Sequence, residues 1–262
     1  MTMTPAAVES AAHLLWRCWT GATRIPQLPA DIRPQTRADG YAIQSAVVSL
    51  FRQQVVGWKI AATSVAGQRH IGVDGPLVGS LMADRVLQSG ARVPLAGNHM
   101  RVGEAEFAFR FARDLEPRTA PYDVAEVLDA VAALHPTIEI PDSRFDDFAR
   151  VGAAQLIADN ACACWLIVGD AADGWRDVDL AAHPVRGLLD GKSVAEGVGA
   201  NALDDPRRAL TWMVNERCTY GDGIRRGDLV TTGTCIAPVV IAPGDHFRAD
   251  FGSLGSLDVR LY

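Results

Sequence analysis

"RVGEAEFAFRF" (Arg101–Phe111) sets two carboxylates into a segment that otherwise reads as a buried strand. In an extended chain alternate side chains share a face. Ala105, Phe107, Phe109 and Phe111 therefore line one side, and Val102, Glu104, Glu106 and Ala108 the other. The aromatic side predicts a core contact. The opposite side carries two negative charges about 7 Å apart, which repel each other in poorly solvated surroundings unless something positive lies between them.

A second stretch, "HPTIEIPDSRF" (His135–Phe145), adds a third carboxylate. Its short strand "TIEI" sets Glu139 away from Ile138 and Ile140. Three glutamates on strands, each facing opposite to an apolar side, predict a shared cluster of oxygen ligands. Hard divalent cations favour such a set, and Mg²⁺ keeps several waters that a substrate can displace. Zinc would want a CxxC or a His pair in addition, and the sequence has neither. An isolated Glu-x-Glu also fits the solvated face of an antiparallel sheet, so the residues alone leave both readings open.

The whole chain sets the frame. Its 262 residues are 48% apolar and 21% charged, enough for a sizeable core and unlike a disordered or fibrous chain. The net charge of −6 is spread along the sequence and arginines cluster no further than pairs, which argues against a nucleic-acid partner. The five cysteines are odd in number, and Cys162 and Cys164, in "CACWLIVG", read as small buried residues sharing a strand face with Leu166. A reducing cytoplasm fits. The N-terminal stretch lacks a signal peptide's basic start, and no apolar run reaches the roughly 18 residues that span a bilayer.

Helical spacing predicts helices from Pro5 to Thr20 and through "ADGYAIQSAVVSLFRQQ", "DVAEVLDAVAAL" and "DPRRALTWMVNERCTYG". The segment "VVGWKIAATS" reads as a strand leading into a Gly-rich loop, "GQRHIGVDGPLVGSL". Beyond Val86 short strands alternate with Gly, Pro and Asp turns. The expectation is an α+β fold: a small helical N-terminal part over residues 1–85, and a mainly β catalytic part over 86–262. "GVGANAL" lacks the third glycine and the lysine of a phosphate-binding loop.

The ordered set "GWKIAATS", "GPLVGSLMAD", "GEAEFAF", "PTIEIPDSRF", "LIADNACACWLIVG", "PRRALTWMVN", "GDLVTTGT" and "APGDHFRADFGSLGSLDV" resembles the 2-keto-4-pentenoate hydratase and 4-oxalocrotonate decarboxylase family, within the fumarylacetoacetate hydrolase superfamily. The match runs from about Val55 to the C-terminus. The resemblance implies a rolled mixed sheet and a divalent metal, Mg²⁺ or Mn²⁺, on Glu104, Glu106 and Glu139. It implies a 2-oxo or 2-hydroxydienoate substrate that chelates this metal. Lys59 in "GWKIAA" and Asp84 in "SLMAD" are then the candidate catalytic groups, and Ser64 and Thr234 candidate substrate contacts. The activity implied is hydration of a 2-hydroxy-2,4-dienoate in aromatic meta-cleavage breakdown. Decarboxylation of a 4-oxalocrotonate-type acid, or a silent partner subunit of a hydratase–decarboxylase complex, are the alternatives. A homo-oligomer is expected, with no membrane partner. "IADN" and "DSR" place Asp159, Asn160 and Arg144 in structural roles beside the metal.

Overall fold

The computed structural model describes residues 2–262. Two ten-residue strands, β5 (Val102–Phe111) and β6 (Val131–Ile140), form its centre as an antiparallel pair that sets Glu104 opposite Glu139 and Phe109 opposite Leu134. Around this pair the chain runs α1 (Pro5–Thr20), α2 (Arg37–Leu50), β1 (Val55–Ala61), α3 (Val65–His70), β2 (Leu77–Met82), β3 (Val86–Gln88) and β4 (Ala91–Val93) before it. Then follow α4 (Val124–Asp129), between β5 and β6, and α5 (Ala153–Ala158), β7 (Trp165–Val168), β8 (Pro184–Leu189), β9 (Lys192–Val198) and α6 (Pro206–Tyr220). The chain closes with β10 (Leu229–Thr234), β11 (Val239–Val240), β12 (His246–Asp250) and β13 (Ser256–Leu261).

The main sheet has the order β2-β1-β10-β5-β6-β7-β3, with β11 added beside β5. A single turn, Ala83–Arg85, joins its two edge strands, β2 and β3, so the sheet must roll up. Leu81, Ala108, Leu166, Val168 and Leu229 fill the inside of the roll as a small separate cluster. The aromatic face of β5 points outward from the roll and packs on the second sheet, β4-β13-β12-β8-β9. Phe107 meets Phe251 edge-on at 5.1 Å, and Phe109 meets Trp175 at 5.6 Å. α1 and α2 pack against each other through Ala11, Ala12, Leu15, Ile43 and Val47. Their N-termini are capped by Thr4 and Thr36.

The α+β class and the rolled mixed sheet agree with expectation; several local readings do not. The division at 85/86 cuts through the main sheet, because β1 and β2 pair with β10 and with each other inside it. The helix expected over "DVAEVLDAVAAL" stops at Asp129, and its last apolar residues enter β6, with Val131 opposite Phe111. Pairing with β5 overrides helical spacing there. The Gly-rich loop holds α3 and β2. Cys162 lies in a turn ahead of β7 rather than on it. The β8–β9 hairpin, joined by Asp190–Gly191, is an addition to the strands expected.

Ala62, directly after β1, has φ +59°, a left-handed conformation that costs an L-residue about 1–2 kcal/mol. Ala62→Gly relieves this, less the extra freedom glycine has in the unfolded chain. Urea denaturation should show the variant about 0.5–1 kcal/mol more stable than the parent.

Candidate metal centre

The β5–β6 register decides the geometry of the site. Glu104 and Glu139 face each other across the ladder, and Glu106 stands two residues along the same face, opposite Thr137. One carboxylate oxygen from each glutamate lies within 4.8 Å of the others. Glu106 and Glu139 are fully buried and Glu104 is partly so. β1 supplies a cation: Lys59, itself buried, brings Nζ to 2.9 Å from Glu139 Oε1. It also donates a hydrogen bond to Ala161 O at 3.1 Å. From β10, Gly233 N donates to Glu106 Oε2 at 3.2 Å. Only glycine fits there, since φ is +91° and a Cβ would stand 2.1 Å from Thr63 Oγ1.

One ammonium does not satisfy three carboxylates. Glu106 Oε1 and Glu139 Oε2 are buried without any hydrogen-bond donor. Burial, and then the charge of Glu139, push the Glu104 carboxyl up to about 7. Burial and the charges of Glu139 and Glu104 raise Glu106 well above the usual carboxylate range. Burial raises Glu139 as well, with Lys59 opposing it. Lys59 shows the converse. Burial works to lower its pKa, but the carboxylates, Glu139 foremost, outweigh it and hold the ammonium above its ordinary range. An all-oxygen donor set with surplus negative charge and unpartnered buried oxygens suits a hard divalent cation.

A strained turn borders the site. Asn160, Ala161 and Cys162 are consecutive left-handed residues with φ of +55°, +47° and +62°. At about 1–2 kcal/mol each, such a run persists only where its surroundings fix it. The buried pair Asp159–Arg144 lies at its start, and the Asn160 amide bonds to both backbone groups of Ser80.

The other expected site residues divide. Ser64 caps α3, its Oγ accepting from Gly67 N at 3.0 Å, just past the Lys59 end of β1. Thr234 pairs with Glu106 across the ladder and donates its hydroxyl to Ile236 O at 2.8 Å. Asp84 is not brought to the cluster. It lies in the turn between β2 and β3, two residues before Val86, and is not one of the carboxylates whose oxygens gather. There it is exposed, 3.8 Å from Arg85. Thr63 and Gly233 stand together beside Glu106. The carbonyl of Ala161 joins the site without having been expected, being a backbone group with no side-chain signal. A cavity of about 140 Å³ lies against Trp19, Arg24, Arg85, Arg144 and Trp165, with Arg24 paired to Asp142, Arg144 to Asp159, and Arg85 stacked over Trp165.

The raised Glu104 pKa carries a stability consequence with a definite sign. A carboxyl whose folded value stands near 7, against an ordinary 4.5, binds its proton more tightly when folded. The folded state therefore loses stability as pH rises from about 4.5 to about 7. Glu104→Gln removes this titration. In chelator-treated protein the variant's stability advantage over the parent should grow between pH 5 and pH 7.5, and saturating Mg²⁺ should erase it. Denaturation curves at the two pH values measure both.

Comparison with known proteins gives the family. The family model described as "Fumarylacetoacetate (FAA) hydrolase C-terminal" matches residues 62–262. The 2-keto-4-pentenoate hydratase of Paraburkholderia xenovorans (strain LB400) is 32% identical over 259 residues, 97% of this chain and 95% of the relative. A 4-oxalocrotonate decarboxylase from a Pseudomonas species is 33% identical over 205 residues, 77% of each chain. Among solved structures, the 4-oxalocrotonate decarboxylase from Pseudomonas putida G7, complexed with magnesium and adipate, superposes with a TM-score of 0.91 at 27% identity, covering 100% of this chain and 99% of that one. With three-quarters of its length matched by the family model and a hydratase relative aligned almost end to end, this chain belongs to the fumarylacetoacetate hydrolase C-terminal family.

Proposed function

We propose that the protein is a divalent-metal-dependent lyase that adds water to a 2-hydroxy-2,4-dienoate and yields a 4-hydroxy-2-oxo acid. The observation that carries this reading is the trio Glu104, Glu106 and Glu139, with ligand oxygens within 4.8 Å of one another and two buried oxygens lacking donors. These three would hold Mg²⁺ or Mn²⁺. When bound, such a cation supplies a Lewis acid for the carboxylate and C2 oxygen of a 2-oxo acid, where negative charge gathers as the dienol ketonises.

The chain's own groups do the rest. Lys59 is the cationic proton carrier, held beside the cluster with its ammonium charged, and it moves a proton to or from the substrate carbons. Thr63 and Gly233 shape the wall that keeps Glu106 in place. Ser64, at the open end of β1, offers a hydroxyl to the substrate, and Thr234 frames the edge beside Glu106. Asp84 has no part in this reading.

The overall balance is one dienoate and one water to one hydroxy-oxo acid, without redox change. Decarboxylation of a 2-oxo-enedioate is the second reading, supported by the full-length likeness to the Pseudomonas putida G7 decarboxylase. It uses the same electron sink. A silent partner subunit is disfavoured, since a scaffold has no need of a buried carboxylate trio with a lysine. A homo-oligomeric cytoplasmic enzyme belongs to the same proposal and rests on the family resemblance.

Purified protein incubated with 2-hydroxypenta-2,4-dienoate and Mg²⁺ should bleach the dienol absorbance without releasing CO₂. Release of CO₂ from 4-oxalocrotonate selects the second reading, and turnover of neither rejects both. Glu106→Gln should remove metal-dependent turnover while leaving the fold intact. Lys59→Met should lower kcat by roughly 10²–10⁴-fold with metal affinity retained. Calorimetric Mg²⁺ titration beside the kinetics separates these two effects.

A further inference from the structure

We propose that the turn Asp159–Cys162 is a positioning device for the Lys59 ammonium, with Asp159 and Asn160 as positioning residues that hold Ala161 O against Nζ. The inference rests on the reading of Lys59 as the proton carrier of the reaction.

A lysine ammonium on a four-carbon stem, set among three carboxylates, has several acceptors and no fixed seat. Here two acceptors define one. Nζ donates to Ala161 O at 3.1 Å and lies 2.9 Å from Glu139 Oε1. An ammonium has three N–H groups, so one is left to face the substrate, in a direction set by the other two.

Ala161 O reaches Nζ because Asn160, Ala161 and Cys162 are all left-handed, although none is glycine. The anchors of this run refer it to the strands that carry Lys59. Asn160 Oδ1 accepts from Ser80 N at 2.7 Å, and its Nδ2 donates to Ser80 O at 3.0 Å. Ser80 lies on β2 next to Gly79, and Gly79 is the ladder partner of Lys59. Both ends of the Lys59–Ala161 contact are thus tied to one β1–β2 ladder. The approach is close: a Cβ on Gly79 would stand 2.3 Å from Asn160 O and 3.2 Å from Lys59 Cγ.

The start of the turn is equally fixed. Asp159 accepts from Ser143 Oγ at 2.7 Å, from Arg144 N at 2.9 Å and from Arg144 Nε. Its own carbonyl accepts from Arg144 Nη2 at 2.7 Å. Asp159, Asn160, Ser143 and Arg144 are all buried. A network of this completeness holds a strained backbone in one conformation, and what that conformation presents to the site is a single carbonyl oxygen.

Asn160→Gly tests the role directly, because it removes both anchors to Ser80 while easing the left-handed backbone. The variant should stay folded and bind Mn²⁺ within twofold of the parent. Its kcat should fall at least tenfold, with KM changed less than threefold. A merely structural residue would lower the unfolding midpoint and leave kcat per folded molecule unchanged. A folded Asn160→Gly with kcat within twofold of the parent overturns the proposal. The crystal structure of the Mg²⁺-loaded wild-type protein gives a second decision that does not depend on any variant folding. Nζ within hydrogen-bonding distance of Ala161 O is expected, and a carbonyl turned away from Nζ overturns it. If the wild-type protein turns over neither substrate, the functional reading fails, while this distance still decides whether the turn seats the lysine.

Discussion

Like charges directly opposite each other in a sheet are ordinarily destabilising, and burial makes the repulsion worse. The Glu104–Glu139 pair is such a case, with Glu106 added on the same face. The arrangement holds because the other face of the same strands is among the best-packed parts of the molecule. Phe107 and Phe109, both fully buried, lock β5 against the second sheet, and Ile138 and Ile140 do the same for β6. With a side-chain period of two, the glutamates cannot leave the inner face unless the phenylalanines leave the core. Apolar packing outside the roll thus holds electrostatic strain inside it, and a divalent cation placed among the three carboxylates would relieve that strain.

The rest of the site serves the same constraint. Rolling the sheet brings β1 and β10 round to the carboxylates, so that one buried lysine and one glycine N–H meet them. The small inner cluster of Leu81, Ala108, Leu166, Val168 and Leu229 fills the roll beyond the charges and leaves the cluster a dry floor. Backbone strain gathers at the same end. Ala62 follows the strand that carries Lys59, the 160–162 turn touches its ammonium, and left-handed Leu203 donates its N–H to Thr63 O. Strain of this kind persists where neighbouring structure over-determines it, which is a common property of functional sites.

The parts of the fold written in side-chain period were legible. The faces of Glu104, Glu106 and Glu139, the long terminal helices and the aromatic core of β5 all follow from alternation or helical spacing. What escaped was decided by pairing. Val131 and Leu134 satisfy both periods, and only the presence of β5 makes them a strand. Asp190–Gly191 is a strong hairpin signal, and it sits between strands whose alternation is too weak to draw notice. Asp84 stands exposed in the turn after β2, outside the carboxylate trio, and proximity to a core strand in sequence does not give a side chain's exposure. Ala161 acts through its carbonyl, and no side chain announces that.

The fold itself does not separate hydration from decarboxylation. A hydratase and a decarboxylase resemble this chain at similar identity, and both reactions gather negative charge on the same C2 oxygen. On the proposed reading the carboxylate trio would serve either chemistry unchanged. The difference lies in the bonds that change: hydration needs a proton delivered to the far end of the dienol and water added to the resulting enone, while decarboxylation breaks the bond to CO₂ and leaves its electron pair on the C2 oxygen as a dienolate. With Lys59 seated by Glu139 and Ala161 O, the direction of its remaining N–H is fixed by the fold. On the proposed reading, which reaction follows turns on where the substrate tail lies relative to that one N–H, which the carboxylate trio does not set.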